Sequence, residues 1–130
     1  MNILIIEHDN LFAEWLKAIS ERNGHNVEVC SKWKDAQQIL VKQKFVLILA
    51  NVFMDDFEGK QLISSLKSMC RGAGIIAVTD HNTREQELEI RKQDILYYMV
   101  KPVDKKYIIS LLNHLELKNH CRGNEQVDCI

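Results

Sequence analysis

Short apolar segments alternate with amphipathic segments along most of the chain. The run from Phe45 to Ala50 has no polar alternation, which is typical of a strand covered on both faces. Other runs rich in aliphatic residues have strand length, and the segments that follow them carry apolar residues at helical spacing. The pattern predicts strands over residues 2–6, 26–30, 45–50, 74–79 and 95–100, each followed by a helix.

Capping signals give the predicted helices their ends. Gly24 follows the first amphipathic segment, where glycine closes a helix in the left-handed conformation. Ser31 is predicted to cap a second helix that runs through Val41. Thr83 and Gln86 have the spacing of a capping box, and Asp104 is expected to cap the last helix.

Five strand-then-helix units in regular order imply a parallel sheet covered by helices on both faces, because right-handed crossovers place each helix on one side. The predicted fold class is therefore α/β, a flavodoxin-like doubly wound (βα)5 sandwich with strand order 2-1-3-4-5. Residues 1–118 are expected to form one domain. Residues 119–130 lose the pattern and are expected to be a flexible C-terminal tail or the start of a linker.

Composition narrows the classes of protein without naming a function. The 130 residues suffice for one core, and 46% hydrophobic with 27% charged residues is ordinary for a globular domain. The net charge of −1 gives no general attraction to nucleic acid or anionic lipid, and no apolar run spans a bilayer. A cytoplasmic location is expected. Basic residues near the last helix are interpreted as a solvated face, so nucleic-acid binding by this chain alone is not expected: Lys105, Lys106, Lys118 and Arg122.

The four cysteines show no paired CxxC spacing, so reduced thiols are expected: Cys30, Cys70, Cys121 and Cys129. A metal site at His120, Cys121 and Cys129 is the alternative, although a structural zinc site wants four well-spaced ligands. A frayed tail is the preferred interpretation.

Candidate chemistry lies where the predicted strands end, since the carboxyl ends of parallel strands form the binding crevice of such a sheet. No glycine-rich phosphate loop and no serine elbow follows any of these strands, which argues against nucleotide-binding enzymes and hydrolases. The residues at these ends are Glu7, His8, Asp9, Asn51, Thr79, Lys101 and Pro102.

Four sequence blocks at these ends resemble the receiver domain of bacterial two-component response regulators: ILIIEHD, LILANVFMDDFEG, AVTD and YYMVKP. The resemblance runs from about residue 2 to residue 117. It implies an acidic pair for magnesium, a phosphate-accepting aspartate, a hydroxyl, a switch aromatic and a lysine before a frequently cis proline. These roles fall in turn on Glu7 with His8, Asn51, Thr79, Tyr98, and Lys101 with Pro102. His8 and Asn51 depart from the family pattern, and so does Asp55 where proline is usual.

The departure at Asn51 has a chemical consequence. An amide has no oxygen nucleophile able to form an acyl phosphate, so this position is predicted to be degenerate and the domain not to be an enzyme. Magnesium binding, by Glu7 and Asp9, is expected to be weak or absent, and no cofactor is predicted. Lys101 is expected to hydrogen-bond either Glu7 or the Asn51 side-chain oxygen.

Three functional hypotheses follow. The first is a phosphorylation-independent interaction module that meets protein partners, or a second copy of itself, through the Thr83–Gln93 helix, the Ile95–Val100 strand and the Asp104–Leu117 helix. The second is a receiver still phosphorylated, with magnesium, on Asp55 or Asp56. The third is the regulatory domain of a transcription regulator.

Overall fold

A computed structural model describes residues 1–54 and 56–123, with side chains through residue 118. Seven strands and five helices follow one another in these residues. In chain order they are β1 (Asn2–Ile6), α1 (Asn10–Arg22), β2 (Asn26–Cys30), α2 (Trp33–Lys42), β3 (Leu47–Asn51), β4 (Phe53–Met54), β5 (Phe57–Glu58), α3 (Gly59–Met69), β6 (Gly74–Thr79), α4 (Arg84–Arg91), β7 (Tyr97–Val100) and α5 (Lys105–Gly123).

Five of the strands form one parallel sheet in the order β2-β1-β3-β6-β7. The flavodoxin-like α/β class is confirmed. The numbering differs from the predicted 2-1-3-4-5 because β4 and β5 form a separate antiparallel hairpin, where the sequence pattern had indicated only an acidic turn. Strand β3 lies in the centre with all five residues buried, as its unbroken apolar run indicated.

Helices cover both faces of the sheet. One face packs against α1 and α5 through side chains such as Leu16 and Leu112, and the other against α2, α3 and α4 through Trp33, Leu66 and Ile90. Alternate residues of each strand point to opposite faces, so every central strand supplies both cores. The two layers hold the strand ends in fixed positions at one edge.

The helix ends predicted at Gly24 and Asp104 were right, and the one predicted at Ser31 was wrong. Gly24 has a φ of 88° just after α1, and the Asp104 carboxylate accepts the Lys106 backbone N–H at the start of α5. Ser31, however, does not cap α2: this helix begins at Trp33, and residue Lys32 at its cap position makes no side-chain cap bond. The capping oxygens come from Asp56, which is distant in the sequence.

Helices α4 and α5 also differ from their predicted limits. Helix α4 ends at Arg91 rather than Gln93, and α5 runs for 19 residues to Gly123. Helix α5 continues past Leu117 because its backbone hydrogen bonds do not need apolar periodicity. The predicted tail lies partly outside the described residues and stays a prediction. No helix in residues 1–54 and 56–123 is both long and apolar enough to cross a membrane.

Candidate functional site

The chemically active side chains meet at the carboxyl edge of the sheet, where β1, β3, β6 and β7 end. Glu7, Asn51 and Thr79 are exposed by 2% or less, and the Lys101 side chain by 10%. Strand β6 pairs with both β3 and β7, which sets these ends side by side. The doubly wound topology therefore collects four polar residues that are far apart in the sequence.

The Asn51 side chain is fixed at both ends of its amide. Its Nδ2 donates to Glu7 Oε2 at 2.8 Å, and its Oδ1 accepts the Phe53 backbone N–H at 2.7 Å. The opposite orientation would set an amide oxygen against a carboxylate and an NH2 group against an N–H donor. The surroundings thus select a neutral amide in one orientation.

Glu7 joins this amide to Lys101. Its Oε1 lies 2.9 Å from Lys101 Nζ, and its Oε2 also accepts the Asp9 backbone N–H at 3.0 Å. The contact with Nζ is a close ion pair without hydrogen-bond alignment, and Lys101 Nζ has no aligned acceptor among the described residues. Phe12 adds a cation–π contact with its ring centre 4.2 Å from Nζ. Of the two partners expected for Lys101, the structure has Glu7 and not the Asn51 oxygen.

Asp9 and His8 lie at the rim of this cluster. Asp9 Oδ1 accepts the backbone N–H groups of Leu11 and Phe12, so this carboxylate caps α1, and its Oδ2 is 3.9 Å from Lys101 Nζ. His8 Nε2 is 3.9 Å from Glu7 Oε2. The peptide bond between Lys101 and Pro102 is cis.

The donor set is a poor fit for magnesium, the metal that the resemblance implies. Both Glu7 oxygens already contact a cation or hydrogen-bond donors, and the neighbouring positions offer an imidazole and an amide where hard anionic oxygens are wanted. In the described part of the chain no three His, Cys, Asp or Glu side chains come together as a metal site. We therefore derive no chemical step through a metal.

Thr79 and Tyr98 are joined by a residue whose sequence context predicted only a role in helix capping. Gln86 Nε2 donates to Tyr98 Oη at 2.9 Å and lies 3.3 Å from Thr79 Oγ1. Tyr98 Oη in turn donates to Asn82 Oδ1 at 2.8 Å. We call these four residues the Gln86 network. It ties the first turn of α4 to the ends of β6 and β7.

The capping-box prediction is accordingly half right. Thr83 Oγ1 accepts the Gln86 backbone N–H at 3.1 Å, as predicted for the start of α4. The Gln86 side chain does not return to Thr83 but joins the network instead. The two adjacent tyrosines of β7 point to opposite faces, since Tyr97 packs with the α1–α5 core and Tyr98 with the other.

The β4–β5 hairpin adjoins the site and is fastened to α2. Asp56 accepts the Trp33 and Lys34 backbone N–H groups at 3.3 and 3.4 Å, which supplies the cap that Ser31 does not. Phe57 stacks on Trp33 with ring centres 5.3 Å apart. Asp55, the other acid considered as a phosphate acceptor, lies outside the described residues.

The described thiols are unpaired. Burial raises the pKa of Cys30 to about 12 and also raises the pKa of Cys70. Both are therefore weak nucleophiles near neutral pH. The side chains of His120, Cys121 and Cys129 lie outside the described residues.

A five-stranded doubly wound sheet with a carboxylate, a lysine and a hydroxyl at its carboxyl edge defines a receiver-type signalling domain. The sequence model of the response regulator receiver domain matches residues 3–113. The chain therefore belongs to the response regulator receiver domain family, the signalling modules of two-component systems.

The curated relatives are named as transcriptional regulators. An uncharacterized transcriptional regulatory protein of Bacillus subtilis is 32% identical over 120 residues, which cover 88% of this chain and 50% of that protein. A probable transcriptional regulator of Porphyra purpurea is 24% identical over 88% of the chain and 56% of its own length, and the Escherichia coli ZraR protein is 25% identical over 80% and 24%. The chain thus spans about half or less of these relatives.

Solved structures share the fold. A CheY-like receiver domain protein from Methanospirillum hungatei superposes with a TM-score of 0.84 at 22% identity, covering 92% of this chain and 96% of that one. The beryllofluoride-activated NtrC4 receiver domain, which is a dimer, has a TM-score of 0.81 at 19% identity, covering 88% and 94%. At these identities the likeness extends to the fold alone.

Proposed function

We propose that this receiver domain signals without aspartyl phosphorylation and acts as a protein-interaction module. One observation carries the proposal: at the end of β3 stands Asn51, a neutral amide, whose two polar atoms are both committed to protein partners. An acyl phosphate requires a carboxylate oxygen to attack phosphorus, and this side chain has none. The pocket keeps its lysine but pairs it with Glu7.

The same kind of contact argues against phosphorylation of Asp56. Both of its oxygens accept backbone N–H groups of α2, so attack on phosphorus would uncap that helix. A position five residues after Asn51 also displaces the nucleophile from Lys101 by more than such sites tolerate. Asp55 remains an alternative acceptor, and a mass measurement on the whole chain detects phosphate there as well.

The test is intact-mass measurement after incubation with acetyl phosphate and magnesium. We expect no gain for the natural chain, and a gain of one phosphoryl group for Asn51→Asp if the remaining pocket is competent. A matched Asn51→Leu variant controls for loosening of the pocket. A phosphoryl group on the natural chain, mapped by peptide mass to any aspartate, would disprove the proposal.

The partner surface that we propose comprises α4, β7 and α5. Four large apolar side chains on these elements and their connections are exposed by 43 to 53%: Leu88, Leu96, Val100 and Tyr107. Exposed large apolar side chains on adjoining elements favour protein contact. Replacing Leu88 by arginine is expected to abolish partner binding or self-association in sedimentation measurements, whereas Leu11→Arg, at an 85% exposed position on α1, should not.

A wider role is suggested by the relatives' names. Because the chain spans about half or less of proteins called transcriptional regulators, we propose that it serves as the regulatory part of such a protein. A separate proposal concerns magnesium, which Glu7 and Asp9 should bind only weakly. Calorimetric titration of the chain with magnesium tests this weak binding, and saturation at micromolar magnesium would contradict it.

A further inference from the structure

A groove lies beside the pocket at the strand ends, between the β4–β5 hairpin and helix α4. It has a volume of about 440 Å³ and is formed by residues 52–54 and 57–60 on one side and by residues of the segment 83–90 on the other. We call it the hairpin groove. Its apolar lining comes from Val52, Phe53, Met54, Phe57 and Ile90, and the size suits one or two large side chains of a ligand.

Carboxylates dominate the polar rim of the hairpin groove. Glu58 lies on the hairpin side, Glu85 on the α4 side, and neither has an ion-pair partner within the described part of the chain. Glu89 is already paired, since its carboxylate lies 3.2 Å from Lys60 Nζ. Three glutamates against one lysine leave an excess of negative charge facing whatever enters.

The groove also reaches the switch residues. Gln86 lines it, and the Nε2 atom of Gln86 contacts both Tyr98 and Thr79. A ligand that competes for this amide would release Tyr98 from α4. Gln86 thus connects the groove by direct contact to Thr79 and Tyr98.

We propose that the hairpin groove is the docking site for a basic segment of a partner protein. An apolar side chain of that segment fills the space over Met54 and Phe57, and flanking lysine or arginine side chains pair with Glu58 and Glu85. The inference deepens the proposed function and rests on it, because docking beside Gln86 supplies an input that needs no aspartyl phosphate.

The experiment is a heteronuclear NMR titration of the full chain with a synthetic peptide of alternating lysine and leucine pairs. The expected result is shifts confined to the backbone amides of the hairpin groove and to the Gln86 side-chain amide, with the Tyr98 ring moving in parallel. The charge-reversed peptide, with glutamate in place of lysine, is expected to leave these signals unchanged.

Variants test the charge argument. The double variant Glu58→Gln, Glu85→Gln is expected to lower the affinity for the basic peptide about tenfold, because it removes two exposed ion pairs. The matched control, Glu14→Gln with Glu21→Gln on α1, should change the affinity less than about twofold. Equal weakening by both pairs, shifts spread over the acidic surface, or no shifts at all would overturn the inference. Self-association through the groove, seen as concentration-dependent shifts without peptide, would overturn it as well.

The two proposals fail separately. If the basic peptide binds the groove but the natural chain gains a phosphoryl group in the mass assay, the groove stands and the phosphorylation-free function falls. If the chain gains no phosphoryl group and the groove signals do not move, the phosphorylation-free function stands and the groove proposal falls.

Discussion

Replacing Asn51 by aspartate should destabilise the fold in a pH-dependent way. The Nδ2 atom that donates to Glu7 Oε2 at 2.8 Å would become a carboxylate oxygen facing another carboxylate in a buried cluster. Two unit charges at that separation repel by about 6 kcal/mol at an effective dielectric constant of about 20. Lys101 sits on the other Glu7 oxygen and offsets only part of this repulsion.

Proton uptake sets a ceiling on the cost. Protonation of the introduced carboxyl restores a hydrogen-bond donor toward Glu7. Keeping an aspartate protonated when its ordinary pKa is about 3.9 costs about 4 kcal/mol near pH 7 and about 1.5 kcal/mol near pH 5. The folded variant binds more protons than its unfolded chain, so its stability falls as the pH rises above about 4. We therefore expect a destabilisation of about 3 to 4 kcal/mol at neutral pH that shrinks by roughly half or more near pH 5.

The assay is urea unfolding of the natural chain, Asn51→Asp and Asn51→Leu across this pH range. The leucine variant loses the same hydrogen bonds without adding charge, so its cost, about 2 kcal/mol, should be flat with pH. Added magnesium should stabilise the aspartate variant more than the natural chain, because a cation held between the two carboxylates offsets their repulsion. If the destabilisation of the aspartate variant does not change with pH, the residue at position 51 does not face the Glu7 carboxylate in a buried cluster and the reasoning is refuted.

Other predictions concern the surrounding structure. Gly59→Ala should cost about 3 kcal/mol in urea unfolding, because a Cβ at this position overlaps the Val52 carbonyl oxygen, and a variant of natural stability would contradict that contact. Asp56→Ala should cost about 1 kcal/mol by uncapping α2, whereas Asp56→Asn, which keeps an acceptor, should cost clearly less. Burial, and secondarily the N-terminal ammonium, lowers the pKa of His25 below 6.5, with Glu116 opposing. Because the folded state disfavours the protonated ring, the contribution of His25 to stability is present above about pH 6.5 and is lost as the pH falls below it. His25→Asn should therefore make the free energy of unfolding vary less with pH between about pH 5 and 7.

Local patterns predicted the order of elements well. Strand β3 was identifiable because burial on both faces removes polar alternation, and Thr83 because a cap is a contact within one turn. The convergence of Glu7, Asn51 and Lys101 followed from topology, since parallel strands end at one edge. These inferences need only short-range periodicity and the handedness of crossovers.

Contacts between distant residues were not predictable. Asp56 caps α2 from 23 residues away, and no local motif marks that pairing. The Gln86 side chain fits a capping box in the sequence, but acceptors at Thr79 and Tyr98 compete for its amide. The partner of Lys101 was likewise left open between Glu7 and Asn51, because the choice depends on side-chain orientation that only packing decides.

The β4–β5 hairpin has a consequence for exchanging parts between relatives. Its Asp56 and Phe57 hold the first turn of α2 through backbone amides and the Trp33 ring. A chimera in which this loop alone is replaced would leave α2 without the Asp56 acceptor and without the Phe57 ring that stacks on Trp33. Transplants should therefore carry the loop and the second helix together as one exchangeable unit.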